Sequence, residues 1–255
     1  MAKINTEKLV VTQVDQITAY DNTGKIDFIM DEVQDTTLSQ EEEIVDITGR
    51  GGRKIGSLKK NKAVTGSGTN GVITGGAIAA MLGSEVKNGT NKVRFLDPLV
   101  VASGKVTLTN TPVGVAGNEV PFIYLKEADD SLGMELTQDA TASAGKYEVN
   151  AQEVTFFSDV QDGTKVVAVY QAEVESAVIT NTSDRYSKTV HLIIDCLAQD
   201  SCDNQYHVQF DIPRADFHGT FDIAIGSDPS TLAFEFGALA GGCTGSNAFW
   251  DMIVY

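Results

Sequence analysis

Residues 65–71 read Thr-Gly-Ser-Gly-Thr-Asn-Gly, so Gly66, Gly68 and Gly71 fall at the spacing G-x-G-x-x-G. That spacing could hold a pyrophosphate on backbone N–H groups, the glycines allowing a tight turn and close approach. The chemistry needs a strand just before the motif, a helix just after it and βαβ alternation around both. Here the preceding stretch, Lys59 to Thr65, is polar and basic, with only Ala63 and Val64 as adjacent apolar residues. A helix does follow, and Glu85 stands about where a ribose-binding acid would. The rest of the chain, however, reads as strand after strand, and no G-x-x-x-x-G-K-[ST] occurs. A nucleotide- or phosphate-using protein built on residues 65–71 is the third-ranked reading.

Other reactive residues fall into no constellation that demands an enzyme, and none calls for a cofactor or a metal. His191, His207 and His218 lie within apolar-polar alternation, without metal-ligand spacing. Cys196, Cys202 and Cys243 are odd in number and lack C-x-x-C spacing, which reads as reduced thiols; a Cys196–Cys202 disulfide is the alternative. Asp129-Asp130 reads as a solvated turn. No G-x-S-x-G elbow occurs.

Charge is more informative. The net formal charge is −16 over 255 residues. Affinity for phosphate backbones comes from Lys and Arg, so the chain as a whole repels nucleic acid. Against that background, residues 50–84 contain no acid, and they open on Arg50, Arg53, Lys54, Lys59, Lys60 and Lys62. Such a cluster could hold a phosphate or meet an acidic surface on another subunit; in so acidic a chain the second reading is favoured. The N-terminus, MAKINTEKLV, has no apolar core of a secretory signal, and no apolar run approaches the ~18–20 residues of a membrane span. The expectation is a protein made in the cytoplasm without a membrane anchor.

The elements that must position these residues are mostly strands. Short candidates are 8–14, 25–30, 43–48, 92–96, 105–110, 119–125, 147–149 and 153–157. Longer ones are 164–175, 188–198, 206–212, 217–225, 231–236 and 249–255. One helix is predicted from Ile73, Ala77, Ile78, Met81 and Leu82, capped by Thr74 and stopped by Gly83. Gly49–Gly71, rich in Gly and Lys with little apolar periodicity, reads as a long surface loop. In the C-terminal strands Tyr206, Val208, Phe210 and Ile212 oppose His207, Gln209 and Asp211. Phe217, Phe221, Ile223 and Ile225 oppose His218, Thr220 and Asp222, and Leu232, Phe234 and Phe236 oppose Thr231 and Glu235. Each therefore has one buried and one polar face. Asp211, Asp222 and Glu235 are the acids of that polar face.

The stretch FDIPRADFHGTFDIAIGSDPSTLAFEFGALAG, residues 210–241, followed by FWDMIVY resembles the C-terminal half of tailed-bacteriophage tail tube proteins. The residues that carry this are Ile212-Pro213-Arg214-Ala215, Gly219 and Leu232, Phe234 and Ala238. Residues 61–83 resemble the loop and short helix of phage tube and related structural proteins. The resemblance covers roughly residues 40–90 and 165–255. It implies an all-β-dominated, β-sandwich or barrel-like protomer with one short α-helix and a long loop. The protomer would be a single domain over 1–255, with residues of about 97–175 open to being an inserted β subdomain. It further implies that six protomers close a ring and rings stack into a hollow tube through which DNA passes without specific binding. The partners would be the chain itself, a tape measure protein, a tail terminator, baseplate or tip proteins, and a sheath if the tail contracts; the place would be the virion. On that reading the basic cluster from Arg50 to Lys62 makes contacts between rings, and Asp211, Asp222 and Glu235 face the lumen. The alternative is another phage structural protein, such as a capsid decoration or adhesion-type β module.

Overall fold

The structure is a computed structural model that describes residues 8–221, 223, 229–241 and 247–255. In chain order the first elements are β1 (Val10–Tyr20), β2 (Ile26–Met30), β3 (Val33–Thr48), β4 (Lys54–Asn70) and the helix α1 (Gly75–Met81). There follow β5 (Lys87–Val100), β6 (Lys105–Thr107), β7 (Phe122–Lys126), β8 (Leu132–Gln138), β9 (Lys146–Asn150), β10 (Glu153–Phe156) and β11 (Lys165–Val178). The last are β12 (Thr189–Gln199), β13 (Gln205–Phe217), β14 (Leu232–Ala238) and β15 (Asp251–Val254). The chain is all-β dominated, with one α-helix among the described residues, as the sequence predicts. It divides into two compact units, residues 1–86 with 179–255, and residues 87–178.

In the first unit eight strands form one sheet in the order β2-β1-β12-β13-β14-β4-β3, with β15 also paired to β13. All its ladders are antiparallel. The sheet curls around a core of Ile17, Met30, Leu192, Ile194, Ile212, Phe217, Leu232, Phe234 and Phe236, to which α1 adds Ala77, Ile78 and Met81. Alternation positions these residues: along β12 every second side chain, from Val190 to Ala198, is buried. Burying that apolar face is the main term that stabilises the unit.

The helix begins and ends where the sequence places it, with one difference. Thr74 occupies the cap position but makes no side-chain cap bond; its Oγ1 instead accepts from Asn70 Nδ2 at 3.1 Å. Gly83 closes the helix at φ +64°, with Gly83 N donating to Ala80 O and Ser84 N to Ala79 O, a Schellman arrangement that favours glycine.

Pro213 does not end a strand, although the sequence breaks into separate candidates at 206–212 and 217–225. β13 runs through it because Val190 pairs with Ala215 and Leu192 with Ile212. His191 thus faces two residues, Pro213 and Arg214, and the bulge takes up a residue that has no N–H to give. The strand then stops at Phe217. Of the remainder of the 217–225 candidate, Ile223 makes an isolated bridge to Leu232, while Asp222 and residues 224–228 lie outside the described residues.

The long loop expected over Gly49–Gly71 is instead a strand. A short 3-10 turn, Arg50–Gly52, joins β3 to β4, and these two strands pair from Thr48–Lys54 to Val33–Asn70. Lysines and glycines read locally as loop because their partners stand far away in sequence. Across the ladder the lysines meet acids of β3, and the glycines meet rings of β14.

The second unit is a seven-stranded sheet in the order β5-β11-β7-β8-β9-β10-β6. Only β8 and β9 run parallel. Its core gathers Ile123, Leu136, Tyr147, Val154, Val166 and Tyr170. β8 has no counterpart among the sequence candidates, although Leu132, Met134 and Leu136 alternate with Gly133, Glu135 and Thr137; of the three only Leu136 is buried. Asp97, 9% exposed, is satisfied by Thr109 N at 2.7 Å, Thr109 Oγ1 at 2.9 Å and Tyr170 Oη at 3.0 Å. Such a buried carboxylate is tolerated because both of its oxygens accept hydrogen bonds, three in all.

Candidate functional site

Gly66 and Gly68 of the glycine motif lie within β4, in extended backbone, and Gly71 follows its last residue. Gly66 pairs with Phe236 and Gly68 with Phe234. A Cβ on Gly66 would stand 2.1 Å from Phe236 Cζ, and one on Gly68 2.6 Å from Phe234 Cζ and 2.5 Å from Asp35 O. The missing side chains make room for two rings of the core. Gly66 and Gly68 stand in strand pairing and not in a phosphate-binding turn, so their expected place in a long surface loop is corrected too.

β4 is longer than its sheet. β14 pairs with it only from Val64 to Asn70, so residues 41–63 form a two-stranded arm that pairs with no further strand among the described residues. From Glu41 to Thr48 the arm spans ~23 Å at the usual rise of a strand. It carries Ile44, Val45, Ile47, Ile55 and Leu58, each 37–62% exposed. Val45 and Leu58 sit directly opposite each other. Apolar side chains on both strands of an isolated ribbon have nothing to bury them within one copy.

The basic cluster of the sequence maps onto this arm, but its members differ. Lys54 pairs with Asp46 at 2.6 Å, Lys59 with Glu42 at 3.1 Å and Lys60 with Glu43 at 3.1 Å. Lys62 lies 5.8 Å from the centroid of the Phe249 ring. Arg50 and Arg53, at the tip, and Lys62 have no ion pair among the described residues, and of these three only Lys62 meets a ring. The sequence shows the cluster but not this division, because the acids lie a hairpin away.

Two of the three acids singled out in the sequence lie on the sheet face opposite the core. Glu235 is exposed on β14, with His218 Nδ1 at 3.5 Å. Asp211 on β13 accepts from His191 Nε2 at 2.6 Å. Asp222 lies outside the described residues. The same face holds Asp195, which accepts from Gln209 Nε2 at 2.8 Å, and Asp251, cross-strand from Asp211. Like charges directly opposite each other are unfavourable, and His191 beside Asp211 offsets that. Across β14, β4 and β3 the face continues as Glu235, Ser67 and Thr37, then Gly237, Thr65 and Ser39. Asp195 escapes sequence reasoning because its strand is apolar on both faces, with Ile193 and Leu197 beside it.

Cys196 is buried and Cys202 exposed, both as free thiols; Cys243 lies outside the described residues. Burial, reinforced by Asp195 and then Asp15, pushes the Cys196 thiol up to about 11, which makes it inert at neutral pH. Among the described residues no group of three His, Cys, Asp or Glu is arranged to hold a metal ion, and no helix is long and apolar enough to cross a membrane.

Fold and surface together define an all-β protein with a projecting two-stranded arm, open sheet edges and an acidic, hydroxyl-lined face. The chain belongs to the YomU/Tube protein family, whose model matches residues 9–252. No curated protein matches it. The family and the tail-tube resemblance of the sequence agree in class: a structural tube protein.

Proposed function

We propose that the protein is a tail tube protomer that assembles into hexameric rings, and that the rings stack into the hollow conduit through which phage DNA is ejected. The observation that carries this is the arm. It extends apolar side chains and two unpaired guanidinium groups away from the core, a cost to solubility that another copy removes. β2 and β3 end the sheet order, with no strand paired beyond them among the described residues; such edges in a lone protomer invite uncontrolled pairing, and closing a ring edge to edge removes them. The outward face with Asp211 and Glu235, joined by Asp222, lines the lumen on this reading, and its carboxylates repel phosphate so that the duplex slides. The basic residues of the arm contact the next ring, with Arg50 and Arg53 foremost and Lys54, Lys59, Lys60 and Lys62 bracing the ribbon. Its further partners are a tape measure protein, a tail terminator, baseplate or tip proteins and, in a contractile tail, a sheath. Its place is the virion. Electron microscopy of the concentrated protein tests this: six-fold rings or tubes of constant bore are expected, and particles that are only monomers or trimers favour a decoration or adhesion-type module.

A further inference from the structure

The first unit holds a cavity of about 1360 Å³ between the turn that joins β1 to β2, one side of α1 and the start of β12. Small-molecule sites occupy ~300–1,000 Å³, so this volume suits a polypeptide segment. Its charges are unequally matched. Lys188 pairs with Asp27 at 3.3 Å, and Arg214 Nη1 donates to Gly241 O at 2.7 Å. Asp21 and Glu85, which also line it, form no ion pair among the described residues; the charge of Lys25 reaches Asp21 only as the least of the causes acting on it. The Asp21 carboxylate is held below the usual range by the Thr23 hydroxyl and the Lys25 and Thr23 N–H groups that close its turn, so it stays ionised. Ser84 also lines the cavity; it is 4% exposed, and its Oγ has no hydrogen-bond partner. A buried hydroxyl left unsatisfied in the protomer marks a place where a donor or acceptor arrives from outside.

The complementary piece is on the arm. Arg50 and Arg53 flank Gly51 and Gly52, whose φ values are +78° and +76° and beside which a Cβ would meet nothing within 4 Å. The tip is therefore a slim turn with a guanidinium at each side and bare backbone between. We infer that this tip, Arg50–Arg53, seats in the cavity of a second copy, with Arg50 and Arg53 against Asp21 and Glu85 and a backbone group of the turn satisfying Ser84 Oγ. This rests on the assembly proposed above and names the surface that receives the arm. The receiver is a second copy because the β3–β4 ladder pairs residues all the way from Val64 to Thr48–Lys54, which carries the tip about 20 Å beyond the last residue of β4 paired with β14.

Charge reversal with rescue tests it, read as the concentration at which the full chain assembles, by light scattering and microscopy. Arg50→Glu/Arg53→Glu should raise that concentration about tenfold, and Glu85→Arg alone should do the same. The chain with all three changes should return towards the wild-type value, which also shows that the variants fold. A triple variant no better than the arm variant, or a Glu85→Arg protein that assembles like wild type, overturns the inference and leaves the tube reading standing. A wild-type protein that forms no assembly at any concentration overturns both.

Discussion

The ring of Phe236 occupies the space where a side chain on Gly66 would stand, at a Cβ-to-Cζ distance of 2.1 Å. Phe234 does the same at Gly68, so two glycines of a nucleotide-like motif and two aromatics of a distant strand form one packing unit. Gly66→Ala and Gly68→Ala should each destabilise the first unit by about 1–3 kcal/mol through overpacking. Gly68→Ala should lie at the upper end, because its Cβ also meets Asp35 O, which is backbone. Gly56→Ala, whose nearest neighbour is Ile47 Cδ1 at 3.8 Å, should change stability little. Denaturant unfolding followed by the fluorescence of Trp250, which packs edge-on against Phe210, measures all three. Equal effects at positions 56 and 66 would show that the rings are not the reason for the glycines.

Alkaline pH should unfold the second unit through its tyrosines. Burial, with Glu135 as a lesser cause, raises the Tyr147 hydroxyl far above its ordinary range, and burial is also the main cause that raises Tyr170. A hydroxyl that ionises less readily when folded contributes stability that is fully present below its unfolded value, near pH 10. That contribution is lost as pH rises through the folded value. Tyr147→Phe gives up the hydrogen bond to Val120 O but should move the alkaline midpoint upward, as should Tyr170→Phe. Circular dichroism against pH, with tyrosinate absorbance recorded in parallel, reads this. An alkaline midpoint that neither variant moves would rule it out.

The acidic face makes a prediction about passage. Asp211→Lys, Asp222→Lys and Glu235→Lys combined in tubes that still form should slow or stall DNA ejection, since a basic wall holds the duplex by releasing counterions. The delay should shrink as salt rises. Normal ejection through intact variant tubes, or a map with these side chains on the outer surface of the tube, would show that the other face lines the bore.

The alternation in residues 206–212 and 231–236 carries its own answer: a strand has a side-chain period of two, so a row of Phe, Val and Ile opposite Asp and Glu assigns core and surface without any neighbour. α1 is likewise written locally, in Ile73 to Leu82 and the stop at Gly83. The charge on Arg50 to Lys62 is visible as a cluster, and the one-sided placement of Asp211 and Glu235 follows from alternation alone. These features depend on residues within a turn or two of each other, and for that reason the amino-acid sequence by itself determined them.

Only the tertiary structure decided the rest. Lys54–Asn70 is a strand because β3 and β14 satisfy its backbone and its charges, and those partners lie up to some 170 residues away in sequence, as in the Phe236–Gly66 pair. Whether Lys59 is free or paired depends on Glu42 across a hairpin, and whether Pro213 ends a strand or sits in a bulge depends on the register against β12. The Asp21–Glu85 cavity brings together a turn, a helix and three strands that share no local pattern. Hydrophobic period and turn chemistry act over a few residues, whereas register, ion pairing and cavities are properties of which strands meet, and that is fixed only when the whole core is buried at once.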